Sequence, residues 1–316
     1  MDNNLEKSKE NKETTKCGFT KETTKCGFVA VVGRPNAGKS SLLNYLVGEK
    51  LAMVSKKAQA TRKRMYMIVT HNDTQIIFVD TPGIHKKEKL LNQFMLNEAL
   101  KAMGECDLML FLAPVSDDLR EYEKFLELQE SKRVKHIILL TKVDQVSNAV
   151  LLKKLSMYQK YQEKFEAIIP VSIKKSIGKI QLLDEIVKYL ELSPWLYDAE
   201  LLTTEYVRSI YKEFIRESIF ENISDEIPYE SDVVIEKIDE LEDIDRIRAS
   251  IIVEKDIQKR MIIGSGGASI KRIGKSARES IEKLSSKKCY LELFVTVKKG
   301  WSKNREDLEN FGYIFD

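Results

Sequence analysis

No apolar run in the 316 residues approaches the roughly 18 needed to cross a bilayer as a helix, which argues against a membrane-spanning helical protein. Cysteine is scarce: Cys17, Cys26, Cys106 and Cys289 are scattered, with no C-x-x-C pair and no secretory leader. That usage points away from a disulfide framework or structural zinc and toward reduced thiols in the cytoplasm. A global excess of one charge is also missing, since 52 Lys and Arg face 49 Asp and Glu. What the chain does have is the make-up of a soluble globular protein, 43% apolar and 32% charged, and enough length for two domains with cores of their own.

The near-zero charge balance hides a local asymmetry. Residues 217–245 hold twelve acids against Lys237 alone, a net of −11, whereas residues 246–305 hold sixteen Lys or Arg against five acids, a net of +11. The basic block points to a polyanion as partner. Residues 1–27 lack apolar periodicity and contain KETTKCGF twice, at 12–19 and 21–28, and are expected to form a disordered tail. From Phe28 on, short apolar runs at 28–33, 63–70, 75–80, 107–113, 135–141 and 166–171 alternate with amphipathic stretches. This predicts a doubly wound, mostly parallel α/β domain over 28–190, with ligands at the carboxyl ends of its strands. After Ser193-Pro194 the pattern changes. A linker is expected at 191–202, then an α+β domain over 203–305 and a short tail at 306–316.

Gly33-Arg34-Pro35-Asn36-Ala37-Gly38-Lys39-Ser40 follows an apolar strand and opens a helix at Ser41, matching G-x-x-x-x-G-K-[ST] in its proper setting. Such a P-loop curls its backbone N–H groups around phosphates, Lys39 pairs the β and γ phosphates, and Ser40 takes a place on Mg²⁺. Asp80-Thr81-Pro82-Gly83 ends the strand 75–80; Asp80 is placed to hold Mg²⁺ and Gly83 to offer its N–H to the γ-phosphate. Alone, D-T-P-G would read as an ordinary turn. Thr141-Lys142-Val143-Asp144 closes a later strand, and the Asp144 carboxylate can accept the paired N–H donors of guanine, which adenine lacks. Ser172 and Ile173, after the strand 166–171, are expected beside the base. A small-molecule kinase is the weaker reading, because it leaves T-K-V-D without a task.

The wording G-R-P-N-A-G-K-S-S, K-A-Q-x-T-R at 57–62 and D-T-P-G-I-H at 80–85 resembles the Era family of GTPases over nearly everything from Phe28 onward. The resemblance implies GTP hydrolysis. It makes Thr61 the switch threonine that reaches Mg²⁺, and it suggests that Asn36 helps hold a potassium ion; the alternatives are a solvated Thr61 and an Asn36 that bonds its own backbone. Four positions depart from the family pattern or from common GTPases: Thr141 for Asn, Ile173 for Ala, Ala60 for Thr, and Ile84 where many GTPases carry a water-orienting Gln. Ile84 and Thr141 leave open an RNA-binding module that binds GDP or GTP with little turnover.

Ile262 to Gly274 looks like a KH motif, with Gly264-Ser265-Gly266-Gly267 as its G-x-x-G loop between two helices. Such a loop meets a nucleic-acid backbone while the adjoining groove holds about four unpaired nucleotides. Ile262, Ile263, Ile270 and Ile273 read as the apolar support, and Lys259, Arg260, Lys271, Arg272 and Lys275 as phosphate contacts, with Arg278 beside them. Lys287, Lys288, Lys298, Lys299, Lys303 and Arg305 could extend that track, with Trp301 as a stacking surface. The resemblance names the target as the 3′ end of small-subunit ribosomal RNA during subunit assembly. It also implies peripheral contact with the inner membrane; the chain is expected to be a cytoplasmic monomer.

Overall fold

Strands of the first half are apolar along nearly every residue, as expected where helices cover both faces of a parallel sheet. The computed structural model describes residues 24–55, 57, 60–83, 90–129, 134–224 and 226–315. The expected tail as far as Thr23, with Cys17, and the Ile84 position lie outside the described residues. In chain order the elements of the first half are β1 (Lys25–Val32), α1 (Lys39–Val47), β2 (Met65–His71), β3 (Thr74–Asp80), α2 (Leu90–Glu105) and β4 (Leu108–Pro114). There follow α3 (Arg120–Gln129), β5 (His136–Thr141), α4 (Asn148–Tyr158), β6 (Ala167–Val171) and α5 (Lys179–Val187). The sheet order is β2-β3-β1-β4-β5-β6, parallel except for β2 against β3. β1 starts at Lys25, inside the second KETTKCGF copy, because Lys25, Cys26 and Gly27 pair with Thr74, Gln75 and Ile76.

The second half contains α6 (Val207–Asn222), β7 (Ser231–Glu240), β8 (Ile244–Val253), α7 (Asp256–Ile263), α8 (Ala268–Ser285), β9 (Lys288–Val297) and α9 (Arg305–Asn310). β7 and β8 form an antiparallel pair, and the α7–α8 crossover returns the chain so that β9 lies parallel to β8. Ile273, Ala277 and Ile281 on α8 pack with Ile210, Phe214 and the inward-facing Ile247 and Ile251.

Residues between the halves are held down along their length. Ser193 N donates to Thr24 O at 3.0 Å, Ile68 N to Leu202 O at 2.8 Å, and Thr203 Oγ1 to Tyr66 O at 2.6 Å. The end of the segment thus pairs with β2, which is the edge strand of the larger sheet. Gln75 is fully buried; its side-chain oxygen accepts from the backbone N–H of both Leu196 and Tyr197 at 3.0 Å.

The end of the chain departs from the expected tail. α9 covers Arg305–Asn310, and Leu308 and Tyr313 join Trp301, Ile252 and the α2 residues Leu91, Phe94 and Met95 in a small core. Trp301 is 0% exposed, so it stacks on no ligand; it sits against Phe311 with ring centroids 5.6 Å apart. Apolar residues spaced too sparsely to show helical periodicity are gathered here by tertiary contact.

Candidate functional site

β1 delivers the chain to the loop 33–38, and α1 begins at Lys39. A Cβ on Gly33 would lie 3.0 Å from the Leu112 carbonyl, and Gly38 adopts φ +104°, which suits glycine. The Lys39 ammonium is buried under the loop, donating to Gly33 O at 3.1 Å and Arg34 O at 3.3 Å. Burial lowers its pKa to about 8 against the opposing pull of Asp80, so an anion here would restore a fully charged lysine.

Three oxygens converge beside it. Ser40 Oγ donates to Asp80 Oδ2 at 2.8 Å, while Thr61 Oγ1 stands 3.1 Å from Ser40 Oγ and 3.5 Å from Asp80 Oδ2. Asp80 is fully buried, its Oδ1 has no hydrogen-bond partner, and burial raises its pKa. A buried carboxylate oxygen without a partner, next to two hydroxyls, fits a hard divalent cation of the Mg²⁺ kind. Gly83 closes this end; a Cβ there would come within 2.8 Å of the Pro35 ring. The cavity here is lined by Asn36, Ser41, Ser55 and Ala60 together with Lys39, Ser40, Thr61 and Gly83.

The base end lies at the tips of β5 and β6. Ser172 Oγ, itself buried, donates to Asp144 Oδ1 at 2.6 Å and holds that carboxyl below its ordinary pKa. Thr141 Oγ1 donates to Ala37 O at 3.4 Å, and Lys142, at φ +62°, reaches Asn36 O at 3.3 Å. These two contacts tie the T-K-V-D turn to the P-loop. Ile173 is 37% exposed, open to a flat ligand.

In the second domain, Gly264 to Gly267 join α7 to α8 as expected. Gly264 is shut in, since a Cβ would meet Ser269 Oγ at 2.5 Å; Gly266 and Gly267 have φ +56° and +78°, Gly266 facing open space and a Cβ on Gly267 meeting only Ile270 at 4.0 Å. Lys271, Gly274, Lys275 and Arg278 line a groove with Leu291 and Leu293 of β9. Arg260, Ser265 and Arg272 are exposed near the loop and Lys259 is half-buried.

Comparison with known proteins matches residues 28–142 to a family described as 50S ribosome-binding GTPase and residues 215–302 to the KH domain. GTPase Era of Helicobacter pylori strain G27 is 52% identical over 95% of this chain and 97% of its own. The chain belongs to the Era family of GTPases. GTPase Era of Campylobacter concisus is 51% identical over 90% of this chain and 98% of its own. Among solved structures, Aquifex aeolicus Era bound to GDP and AlF4⁻ superposes with a TM-score of 0.88 at 31% identity, covering 92% of this chain and 100% of that one. Era in complex with MgGDPNP and nucleotides 1506–1542 of 16S ribosomal RNA gives 0.87 at 31% identity, with the same coverage. GTP or GDP with Mg²⁺ is therefore the ligand of this family's nucleotide site, and hydrolysis its reaction.

For an Era-family chain, the unforeseen feature is Arg62. Only 3% exposed, it leaves the switch segment and donates to Ser231 O and Tyr229 O at 2.9 Å. It also stands 4.0 Å from the Asp232 carboxylate, which receives Lys212 at 3.2 Å and Arg216 at 3.7 Å. Burial alone would raise the Asp232 pKa, but Lys212, Arg62 and Arg216 outweigh it and hold the carboxyl well below its usual range. Arg216 donates on to Ala60 O at 3.1 Å, and Glu217 accepts from Val54 N at 3.3 Å and pairs with Lys50 at 2.7 Å. Two acids of the block, Glu217 and Asp232, therefore hold residues of the GTPase domain. In the supposed C-terminal phosphate track, Lys298 pairs with Asp307 at 2.6 Å and Arg305 with Glu309 at 2.7 Å, so both are engaged within the chain end. The T-R pair at 61–62 was the one available signal for Arg62; its carbonyl partners carry no sequence signature.

Proposed function

We propose that this chain is a nucleotide-controlled RNA switch that binds the 3′ end of small-subunit ribosomal RNA and assists assembly of the small subunit. The RNA fragment bound by the solved Era complex supports the target, and the open Gly266-Gly267 backbone beside Lys271 and Lys275 supports the mode of contact. In this reading Lys39 and the loop Gly33 to Ser41 hold the phosphates, and Ser40, Thr61 and Asp80 hold Mg²⁺. When bound, that ion neutralises charge developing on the phosphate oxygens. Gly83 offers its N–H to the γ-phosphate, Asn36 supports a potassium ion, and Asp144 with Thr141, Lys142, Ser172 and Ile173 encloses guanine. Lys259, Arg260, Arg272 and the loop Gly264 to Gly267 meet the RNA backbone. The protein acts as a cytoplasmic monomer. Peripheral contact with the inner membrane follows from family likeness; among the described residues no helix is long and apolar enough to cross one.

One observation carries the switch: Thr61, at the Mg²⁺ cluster, and Arg62, buried in the KH half, are joined by a single peptide bond. When Thr61 lets go, the residue gripping the RNA-binding half must move with it. RNA affinity measured by fluorescence anisotropy should differ between GDP and a non-hydrolysable GTP analogue. Arg62→Ala should shrink that difference while preserving GTP binding. An Arg62→Ala protein that keeps the full difference would refute the switch.

A further inference from the structure

β9 alternates sharply. Cys289 and Val295 are buried, and Leu291 and Leu293 pack on the core, whereas Tyr290 and Phe294 on the reverse face are 54% and 48% exposed. Among the described residues Phe294 is the one exposed phenylalanine. It is not loose: the Arg248 guanidinium lies over its ring, 5.9 Å from the centroid. Arg248 in turn donates to Glu292 Oε2 at 3.0 Å, and the Tyr290 hydroxyl donates to Glu292 Oε1 at 3.3 Å. Both oxygens of Glu292 are thus engaged and its charge is offset. The result is a preformed row, Tyr290-Glu292-Arg248-Phe294, two aromatic rings with a guanidinium between them. Arg246, opposite Tyr290, and Lys288 at the start of β9 are exposed on this same face.

The row is continuous with the groove already described. Tyr290 lines that groove together with Lys271, Lys275 and Arg278. β9 is the edge strand of the three-stranded sheet, so a chain leaving the groove crosses one strand to reach the reverse face. Aromatic rings flanked by arginine are the surfaces on which successive unpaired bases stack, and cationic neighbours take the phosphates. A KH groove holds about four nucleotides, which leaves the rest of a longer single strand needing a path.

We propose that the reverse face of β8 and β9 is a second RNA site, a stacking platform of Tyr290, Arg248 and Phe294 for bases continuing past the groove. The proposal rests on RNA binding in the KH groove, and its test separates the two. Affinities of a 6-nucleotide and a 14-nucleotide unstructured RNA, both ending in the 3′ sequence of small-subunit ribosomal RNA, are compared for several variants. The unmodified protein should bind the longer RNA roughly tenfold tighter, the order expected for one or two stacked bases. Phe294→Ala and Arg248→Ala should abolish that advantage and leave the 6-nucleotide affinity unchanged, and Phe294→Tyr should retain it. Replacing Gly266 and Gly267 with Asp should weaken both RNAs. If the unmodified protein binds neither RNA, the groove reading itself fails. If both bind and folded Phe294→Ala keeps the full length advantage, the platform is overturned. Loss of small-subunit association in Phe294→Ala with that advantage intact would overturn it too, in favour of a protein-docking face.

Discussion

A carboxylate at position 144 selects its ligand by the donor pair it requires. Ser172 already occupies Oδ1 and orients the group, so replacing it with an amide reverses the hydrogen-bond polarity facing the base without moving the backbone. Asp144→Asn should therefore exchange GTP for xanthosine triphosphate as the preferred ligand in competition binding; continued preference for GTP would show that the pocket is misread. At this scale the P-loop and Asp80 were legible because their chemistry depends on residues adjacent in sequence. Arg62 was not, since its partners Tyr229, Ser231 and Asp232 lie more than 160 residues away, and Asp232 gathers Arg62, Lys212 and Arg216 from separate places in the chain. Removing one member of such a buried cluster leaves an uncompensated charge, at a cost of about 3–5 kcal/mol. Asp232→Leu, which removes the carboxylate shared by Lys212, Arg62 and Arg216, should lower the unfolding midpoint accordingly in urea titration.

At the scale of elements, α3 and β5 enclose a histidine whose environment sets an acid limit. His136 is 1% exposed, the Tyr122 hydroxyl lies 2.8 Å from its Nε2, and burial lowers its pKa to about 4. The unfolded chain protonates this ring near 6.5. Between these values the unfolded state holds more protons, so stability falls with falling pH, by up to about 3 kcal/mol at the low end. Denaturant titrations at pH 7 and pH 4.5 should show a steeper loss for the unmodified protein than for His136→Gln. The β4 and β5 strands were readable because unbroken apolar runs at the centre of a parallel sheet have few other uses. The chain end was harder to read because residues 306–315 are charged and apolar by turns, and their apolar half is used only against α2, Ile252 and Trp301. Trp301→Ala should cost about 3–5 kcal/mol through the cavity it leaves, and should not weaken RNA binding in protein that remains folded.

For the whole molecule, the two domains could be inferred separately from sequence, but the way they join could not. The linker expected between 191 and 202 is bonded to Thr24 at Ser193, to Gln75 at Leu196 and Tyr197, and to β2 at Leu202. The two halves also meet through Arg62, whose guanidinium reaches Ser231 O, and through Arg216 and Glu217, which bond the backbone of Ala60 and Val54. Thr61 adjoins these residues, so the hydroxyl beside Ser40 and Asp80 is next in sequence to the contacts with the KH half.

The strap along β2 has a consequence for solubility. β2 ends the larger sheet, and an uncovered edge strand offers unpaired N–H and C=O groups to any other chain with the same exposure. Ile68 N is taken by Leu202 and the Tyr66 carbonyl by Thr203. A polypeptide stopped at Leu190 keeps Asp144, Ser172 and the whole P-loop, and should bind GTP, yet it should self-associate through the bared edge. One extended to Glu205 should stay monodisperse in light scattering. The residues that join the domains thus also act as a guard against aggregation.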